Sequence, residues 1–268
     1  MKAKVITIAN QKGGVAKTTT AVNLAYYLSR CAGKKTLLVD VDPQTNATKS
    51  FKGKSYGEAT LYDLLLEEGP LDEAAVSEAI QHTEVGDVLP GDKLLKEADD
   101  RLHDLPDRYM ALKKVLDKVM EYTSYEYIVV DTNPSLNTLL QCALSASDFI
   151  VMPCEPDMDA VEGLSDLSET IYRTKAERNP GLIGTGILAV KVPAAGNVYK
   201  VIISQMPSVA QKMGAVCFKS NIRLAAAVAE SKLNRLPVIA YRPASNPALD
   251  YIEFGKELVE ILERKKEA

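Results

Sequence analysis

The feature of this sequence that most constrains its fold is the alternation of short apolar runs with segments of helical periodicity. Several of the runs are apolar at successive rather than alternate positions, which is typical of parallel strands that helices cover on both faces. The alternation predicts an α/β fold with a doubly wound, mostly parallel sheet flanked by helices. The predicted strands are residues 5–9, 36–39, 127–130, 149–152 and 186–190, and the predicted helices are residues 18–29, 136–145, 161–173 and 247–266.

The sequence favours a single domain that spans residues 1–268, because no linker, repeat or low-complexity stretch interrupts it. Residues 57–122 form a mostly helical excursion with one short strand candidate at 85–89. A chain of this length buries enough surface to fold without disulfides. The four cysteines contain no C-x-x-C pair and there are two histidines, so the spacing excludes a zinc site and a disulfide framework. Cys142 and Cys154 are expected to be buried apolar residues.

The charge distribution is uneven, although the net charge is only −4. Residues 57–110 hold 15 acidic and 4 basic residues, whereas residues 191–242 hold 8 basic and 1 acidic residue. The basic segment can therefore attract polyanions. The first ten residues lack the pattern of a signal peptide, and no apolar run approaches the length of a membrane span, so we expect a cytoplasmic protein.

The strongest motif is the segment at residues 10–20, Asn-Gln-Lys-Gly-Gly-Val-Ala-Lys-Thr-Thr-Thr, between the first strand and the first helix. Backbone N–H groups of such a loop wrap phosphate oxygens, and the helix N-terminus adds partial positive charge. Lys17 is expected to reach the β and γ phosphates, and the Thr18 hydroxyl to bind Mg²⁺ directly. The usual P-loop pattern is broken, because Gln11 and Ala16 occupy its two glycine positions. The predicted nucleotide-binding residues are Gln11, Lys12, Gly13, Gly14, Val15, Ala16, Lys17, Thr18 and Thr19.

Three aspartates follow apolar strands, where an open α/β sheet places its ligands. Asp40 and Asp42 follow the second predicted strand, and Asp131 ends the third. A carboxylate there can hold a Mg²⁺-bound water, and a second can orient the water that attacks a γ-phosphate. The alternatives are turn formation before Pro43 for the first two and helix capping for Asp131.

The combination of Lys12-Gly13-Gly14 with Lys17-Thr18 resembles the variant loop of the ParA/MinD superfamily of deviant Walker A ATPases. The short ParA/Soj partition type is the most similar, through further blocks at residues 37–48, 127–136, 162–164, 218–223 and 237–241. The resemblance implies ATP hydrolysis with Mg²⁺, and a homodimer in which Lys12 reaches the partner's ATP. It makes Lys12, Lys17 and Asp42 the catalytic residues, with Asp42 positioning the attacking water and Asp40 and Asp131 holding Mg²⁺ through water.

The basic segment suggests contact with phosphates without base reading, since it shows neither a recognition helix nor the aromatic features of a base-reading surface. The resemblance implies non-specific binding of double-stranded DNA by the ATP-bound dimer, association with the nucleoid, and release when a ParB-like centromere-binding protein stimulates hydrolysis. Ala225 to Ala227 stand where the family commonly has Ser-Glu, which removes a negative charge beside Arg223, so we expect DNA affinity to be kept or raised. Because the chain begins at its first strand, we expect no separate operator-reading domain. The candidate DNA contacts are Lys200, Lys219, Arg223, Lys232 and Arg235.

Three other functions share this loop. A MinD-like membrane-associated ATPase needs a basic amphipathic C-terminal helix, but the last turn here is poor in bulky apolar residues and rich in acids. An iron–sulfur ATPase needs bridging cysteines. A small-molecule ligase needs no DNA, and the basic segment with Asp42-Pro43-Gln44 favours partition over it. Residues 191–193 and Pro237 are candidates for the adenine pocket. Ala16 is expected to alter nucleotide binding, at a cost if its φ is positive.

Overall fold

A single eight-stranded sheet organises the chain in the computed structural model, which describes residues 2–67, 69–157 and 163–267. The strands are β1 (Lys4–Ile8), β2 (Thr36–Asp40), β3 (Gln81–His82), β4 (Asp87–Leu89), β5 (Tyr127–Asp131), β6 (Phe149–Cys154), β7 (Gly184–Val192) and β8 (Val216–Arg223). Their order across the sheet is β3-β4-β2-β5-β1-β6-β7-β8, and each neighbouring pair is parallel except β3 with β4. The predicted mostly parallel, doubly wound sheet is confirmed.

Helices connect the strands and cover both faces of the sheet. In chain order they are α1 (Lys17–Tyr26), α2 (Asn46–Ser50), α3 (Leu61–Leu66), α4 (Glu73–Ala79), α5 (Leu95–His103), α6 (Ala111–Tyr122), α7 (Thr138–Ala146), α8 (Leu164–Glu177), α9 (Asn197–Lys212), α10 (Ala226–Leu233), α11 (Val238–Tyr241) and α12 (Asn246–Glu267). A π-helical turn, Tyr27–Cys31, continues α1, and a 3₁₀ turn, Arg108–Met110, precedes α6. Nowhere in the described ranges is a helix both long and apolar enough to span a bilayer.

The central strands are buried on both faces because successive side chains point to opposite layers. Ile6 of β1 and Leu38 of β2 belong to a core that α1 and α12 complete. Val5 and Leu37 belong to the opposite core, which α3 to α7 cover. Successive apolar residues in these strands thus reflect two cores on either side of one sheet, as the sequence predicted. Because β1, β2 and β5 run parallel, their carboxyl ends lie together at the same edge of the sheet.

The helical excursion contains α3 to α6, as predicted, and its strand candidate is observed as β4 with the two-residue β3 beside it. The predicted helix at 161–173 is observed from Leu164, and residues 161 and 162, with Glu162 of the family block, lie outside the described residues. Strand β8 and helices α9 and α10 were not predicted. Cys142 and Cys154 are buried, which confirms that expectation.

The outer strand β8 is covered by acidic side chains of α12 rather than by another strand. Glu257 accepts hydrogen bonds from the backbone N–H of Lys219 at 2.8 Å and of Ser220 at 3.0 Å, and from the Ser220 hydroxyl at 2.8 Å. Asp250 accepts one from the N–H of Arg223 at 3.0 Å. These carboxylates satisfy N–H groups that an exposed edge would offer to another chain.

Candidate nucleotide site

The loop at residues 10–16 joins β1 to α1 at the carboxyl ends of the parallel strands. Gly14 has a φ of 78° and Ala16 a φ of 60°, so both residues adopt the left-handed region. A side chain there costs roughly 1–2 kcal/mol relative to glycine. The condition under which the Ala16 methyl was expected to be costly is therefore met. Ala16 is the N-cap of α1, and its carbonyl accepts the N–H of Thr20 at 2.9 Å.

Side-chain hydrogen bonds hold the loop open. The Asn10 amide donates to the Pro153 carbonyl at 2.7 Å, and its oxygen accepts the Lys12 N–H at 2.9 Å. The ammonium of Lys17 donates to the Lys12 carbonyl at 3.0 Å, across the loop. Space surrounds the backbone of Gly13 and Gly14, since a Cβ on either would meet no heavy atom within 4 Å. The loop is therefore a cradle of the shape that a phosphate chain requires.

Asp40 and Asp131 are register partners on β2 and β5, and both are fully buried. Asp40 is well held, because it accepts the N–H of Thr48 at 2.7 Å, the Thr48 hydroxyl at 2.7 Å and the N–H of Asp42 at 3.1 Å. Burial nevertheless raises the pKa of Asp40 to about 6, against the opposing effect of these hydrogen bonds. Asp40 thus organises the loop after β2.

Asp131 is held quite differently, because neither of its oxygens has a hydrogen-bond partner among the described residues. Burial raises its pKa well above the usual range, and Asp40 adds to the effect, while Thr18 and Lys17 oppose it. Burial in turn lowers the pKa of Lys17, against the attraction of Asp131 and Asp42. A cationic ligand beside Asp131 would remove this unfavourable burial of charge.

Other unpartnered buried atoms belong to the same region. The Thr19 hydroxyl, the Gln11 amide nitrogen and the Asn133 amide oxygen have no partner among the described residues. Buried polar groups are normally satisfied, so such a group of orphans next to a phosphate cradle indicates a missing polar ligand. Triphosphate oxygens and a hydrated Mg²⁺ supply acceptors, donors and positive charge to this set. The residues present therefore fit Mg²⁺ and ATP.

Asp42 is almost completely buried, with 8% of its surface exposed. Its carboxylate accepts the N–H of Gln44 at 2.9 Å, and its carbonyl accepts the N–H of Thr45 at 2.9 Å. The ammonium of Lys49 donates to the Gln44 carbonyl at 2.8 Å. A local network thus fixes the residue predicted to orient the attacking water. Its position depends on Lys49, which no motif of the sequence singled out.

Lys12 points to a different part of the protein than Lys17 does. Its ammonium pairs with Asp157, 3.2 Å away, on the connection that follows β6. Both side chains are nearly half exposed, at 47% and 44%. Lys12 therefore reaches the surface beside the phosphate cradle, while Lys17 folds back into it.

A cavity of about 200 Å³ adjoins the loop on the other side. Its walls come from Ala16 and Thr19, from the end of β7 at Lys191, from the turn after β8 at Leu224, and from α10 and α12. Of the predicted adenine-pocket residues, Lys191 lines this cavity, whereas Pro193 and Pro237 do not. The sequence analysis missed the wall after β8, because no motif marks it.

The predicted DNA contacts fall into two groups. Lys200 and Lys219 are exposed on α9 and β8, whereas Lys232 and Arg235 line a cavity that also contains Thr18 and Thr19. The Arg223 guanidinium donates three hydrogen bonds to the Asp250 carboxylate, at 2.6, 2.9 and 3.2 Å. The negative charge that residues 225–227 lack beside Arg223 is supplied instead by Asp250 of α12, 27 positions along the chain.

Comparison with known proteins agrees with this geometry. A family model described as an AAA domain matches residues 3–183. The chain is 37% identical to the sporulation initiation inhibitor protein Soj of Bacillus subtilis, over 95% of this chain and 98% of that protein. It belongs to the ParA/Soj family of ATPases.

Solved structures share the fold of this ParA-type ATPase. A plasmid partition protein from Borrelia burgdorferi bound to AMPPNP has a TM-score of 0.77 at 25% identity, covering 98% of this chain and all of that one. Cobyrinic acid a,c-diamide synthase from Mycobacterium smegmatis, with bound ADP and magnesium, has a TM-score of 0.80 at 25% identity, covering 97% and 96%.

These comparisons confirm the predicted family, the P-loop fold, ATPase activity, the use of ATP with Mg²⁺, and the general function of a partition ATPase. The assignment of individual site residues stays a prediction that the cradle and its unpartnered atoms support.

Proposed function

We propose that this ATPase binds double-stranded DNA without sequence preference as an ATP-bound homodimer, and that a ParB-like partner releases it by stimulating hydrolysis. The contrast between its two loop lysines carries the proposal. Lys17 folds into its own cradle, whereas Lys12 reaches the surface beside it, where it forms an ion pair with Asp157 at 3.2 Å. A lysine in that position can neutralise phosphates bound by a second subunit.

In the proposed cycle, the cradle at Gly13 and Gly14 and the Lys17 ammonium bind the ATP phosphates. Thr18, with Asp40 and Asp131 through water, would hold Mg²⁺, which when bound neutralises phosphate charge. Asp42, fixed by Gln44 and Thr45, orients the attacking water in line with the γ-phosphate. Lys12 leaves Asp157 for the partner's nucleotide, so closure depends on ATP rather than ADP.

The cavity bordered by Lys191 and Leu224 is the place proposed for the base. It adjoins Ala16 and Thr19, so the phosphate chain and the base occupy neighbouring spaces. The basic residues of β8, α9 and α10 then contact DNA phosphates, without reading bases. Cycles of binding and release of this kind would take place in the cytoplasm, on the nucleoid.

The decisive experiment measures binding to non-specific double-stranded DNA with ATP, with ADP and without nucleotide, at two salt concentrations. We expect binding that needs ATP and weakens with salt. It should be lost in Lys12→Ala and persist in Asp42→Ala, which is expected to trap the ATP-bound state. Lys96→Ala, an exposed lysine on α5, is the control for loss of one positive charge.

Three outcomes would overturn the proposal. ATP-driven dimerisation without DNA binding would favour a MinD-like membrane-associated relative, which liposome binding then tests. Binding of DNA to the same extent in all three nucleotide states would remove the switch. Turnover of ATP only with a small carboxylic acid and an amine donor would favour the ligase chemistry named for the Mycobacterium smegmatis structure.

A further inference from the structure

A second cavity, of about 290 Å³, lies on the far side of the first turns of α1. Its walls come from α1, α2 and the C-terminal end of α10. Thr18 and Thr19 belong to it, so it shares a wall with the nucleotide cradle. Thr19 is 5% exposed, and its hydroxyl has no hydrogen-bond partner among the described residues.

The cavity is positively charged. Lys49, Lys232 and Arg235 line it, and no aspartate or glutamate is among its lining residues in the described part of the chain. Ser50 and Ser231 add hydroxyl groups. Lys49, Lys232 and Arg235 are exposed residues, although the ammonium end of Lys232 is partly desolvated, so they stand at an open mouth rather than around an enclosed ligand. Both hydroxyls already donate to carbonyls of their own helices, Ser50 to Asn46 and Ser231 to Val228, so the three cations supply the attraction. An open, cationic mouth suits an oxyanion on a large molecule better than a small free ligand.

The state of Lys232 agrees with an anion at this place. Burial lowers its pKa, and the charge of Lys191 lowers it further. A phosphate oxygen nearby would favour the charged form of the lysine and relieve its repulsion from Lys191. The same cavity thus contains a lysine whose charge is incompletely compensated by the protein.

Lys49 connects this cavity to the hydrolysis loop. Its ammonium donates to the Gln44 carbonyl at 2.8 Å, and the Gln44 N–H donates to the Asp42 carboxylate at 2.9 Å. An anion that draws Lys49 into the cavity competes with the Gln44 carbonyl for the same ammonium. Two hydrogen bonds therefore separate the cavity from the carboxylate that orients the attacking water.

We infer that this cavity binds a backbone phosphate of DNA through Lys49, Lys232 and Arg235, and that Lys49 transmits the contact to Asp42. The inference rests on the proposed DNA binding and adds to it a specific phosphate pocket on the nucleotide loop's own helix. Lys49 is a positioning residue in this scheme, since it acts on water only through Gln44 and Asp42.

The test uses the full chain with ATP and compares Lys49→Gln and Arg235→Gln with the control Lys96→Gln. Affinity for non-specific DNA is measured over a series of salt concentrations. Each lost phosphate contact makes the slope of log K against log salt less steep by about 0.9. Because three cations share one phosphate, we expect the slope to become less steep by up to about 0.9 in both cavity variants and to stay unchanged in Lys96→Gln, and Lys49→Arg should restore it. ATP affinity without DNA checks that the cradle remains intact.

The second readout is the rate of ATP hydrolysis with and without DNA. We expect DNA to change the rate of the wild-type protein and to have no effect on Lys49→Gln. Wild-type salt slopes in both cavity variants would overturn the inference while leaving the proposed function intact. A wild-type protein that binds no DNA in any nucleotide state would overturn the proposed function itself. Pyrophosphate titrated into the ADP-bound protein distinguishes a DNA phosphate from a free oxyanion as the ligand of the cavity. Loss of pyrophosphate binding in Arg235→Gln, with DNA binding unchanged, would point to a free oxyanion instead.

Discussion

Replacing Asp40 by asparagine tests whether the protein without nucleotide stores unfavourable charge at the ends of β2 and β5. Asp40 is fully buried beside the equally buried Asp131. Its raised pKa means that ionisation is harder in the folded state than in the unfolded one. The folded state therefore loses stability as the pH rises through the pKa of the folded protein, and retains it fully below the unfolded value.

The magnitude follows from the pKa of Asp40. Since one pKa unit corresponds to about 1.4 kcal/mol, a rise from 3.8 to about 6 costs the folded state about 3 kcal/mol above pH 6. Asparagine at this position cannot ionise, so Asp40→Asn escapes that cost. The amide also changes the hydrogen bonds to Thr48 and Asp42, but that offset does not titrate. The informative quantity is therefore how the difference in unfolding free energy between the two proteins changes with pH.

The assay is urea unfolding between pH 4 and pH 7, without nucleotide or Mg²⁺. Circular dichroism at 222 nm follows it, because the chain has no tryptophan for fluorescence. The stability of Asp40→Asn relative to wild type should increase by about 2 kcal/mol across this range, because the unfolded carboxyl is already more than half ionised at pH 4. Asp131→Asn should show the same sign, since burial also raises the pKa of Asp131. Asp166→Asn removes an exposed carboxylate on α8 and controls for the loss of one charge.

A difference that stays constant with pH, or that falls, would refute the reasoning. It would mean that the two carboxylates ionise as easily in the folded protein as in the unfolded chain. Addition of Mg²⁺ and ADP provides a second check, because positive charge beside Asp131 should reduce the pH dependence of the wild-type protein.

Three further predictions concern the loop and the outer strand. Ala16→Gly removes the cost of alanine in a left-handed conformation but adds chain entropy to the unfolded state, so the melting temperature should stay the same or rise slightly. Ala229→Gly inside α10 should instead cost about 1 kcal/mol of stability. Thermal unfolding compares the two, and a clear loss in Ala16→Gly would contradict the strain. Thr18→Val should weaken ATP binding in the presence of Mg²⁺ and leave it unchanged in EDTA, as measured by calorimetry; equal loss in both conditions would show that Thr18 does not act through the metal. Glu257→Gln weakens bonds from three donors on β8 and should cost roughly 1–3 kcal/mol, with concentration-dependent aggregation detected by light scattering.

The parts of the fold that the sequence predicted are those in which one physical requirement, such as burial on both faces of a strand, determines several consecutive residues. Central strands such as β2 and β5 must bury both faces, so the residues after Thr36 in β2, and all those of β5, are apolar up to the terminal aspartate. Strand β8 was missed because it lies at the outer edge of the sheet, where Lys219 and Asn221 can face solvent. Helix α9 was missed because its exposed face carries Val198 and Val201 and its interior contains a proline, which obscures the helical period.

The same distinction separates the two halves of the nucleotide site. Phosphate binding needs consecutive backbone N–H groups and a following lysine, so its residues are contiguous and can be read directly. The base cavity is assembled from the loop, the ends of two strands and two helices, and each segment contributes one or two residues of no fixed type. Asp250 shows the same limit, since only the return of α12 along β8 brings it to Arg223.

The acidic segment after β6 supplies ion-pair partners for two lysines of the site. Glu155 pairs with Lys191 of the base cavity at 2.8 Å, and Asp157 pairs with Lys12 of the loop at 3.2 Å. Both lysines therefore have temporary acidic partners on one short segment. Ion pairs as exposed as that of Lys12 and Asp157 contribute about 0–1 kcal/mol, which a triphosphate carrying several negative charges can replace at little cost. The proposed movement of Lys12 to a partner subunit therefore costs little through the loss of this contact.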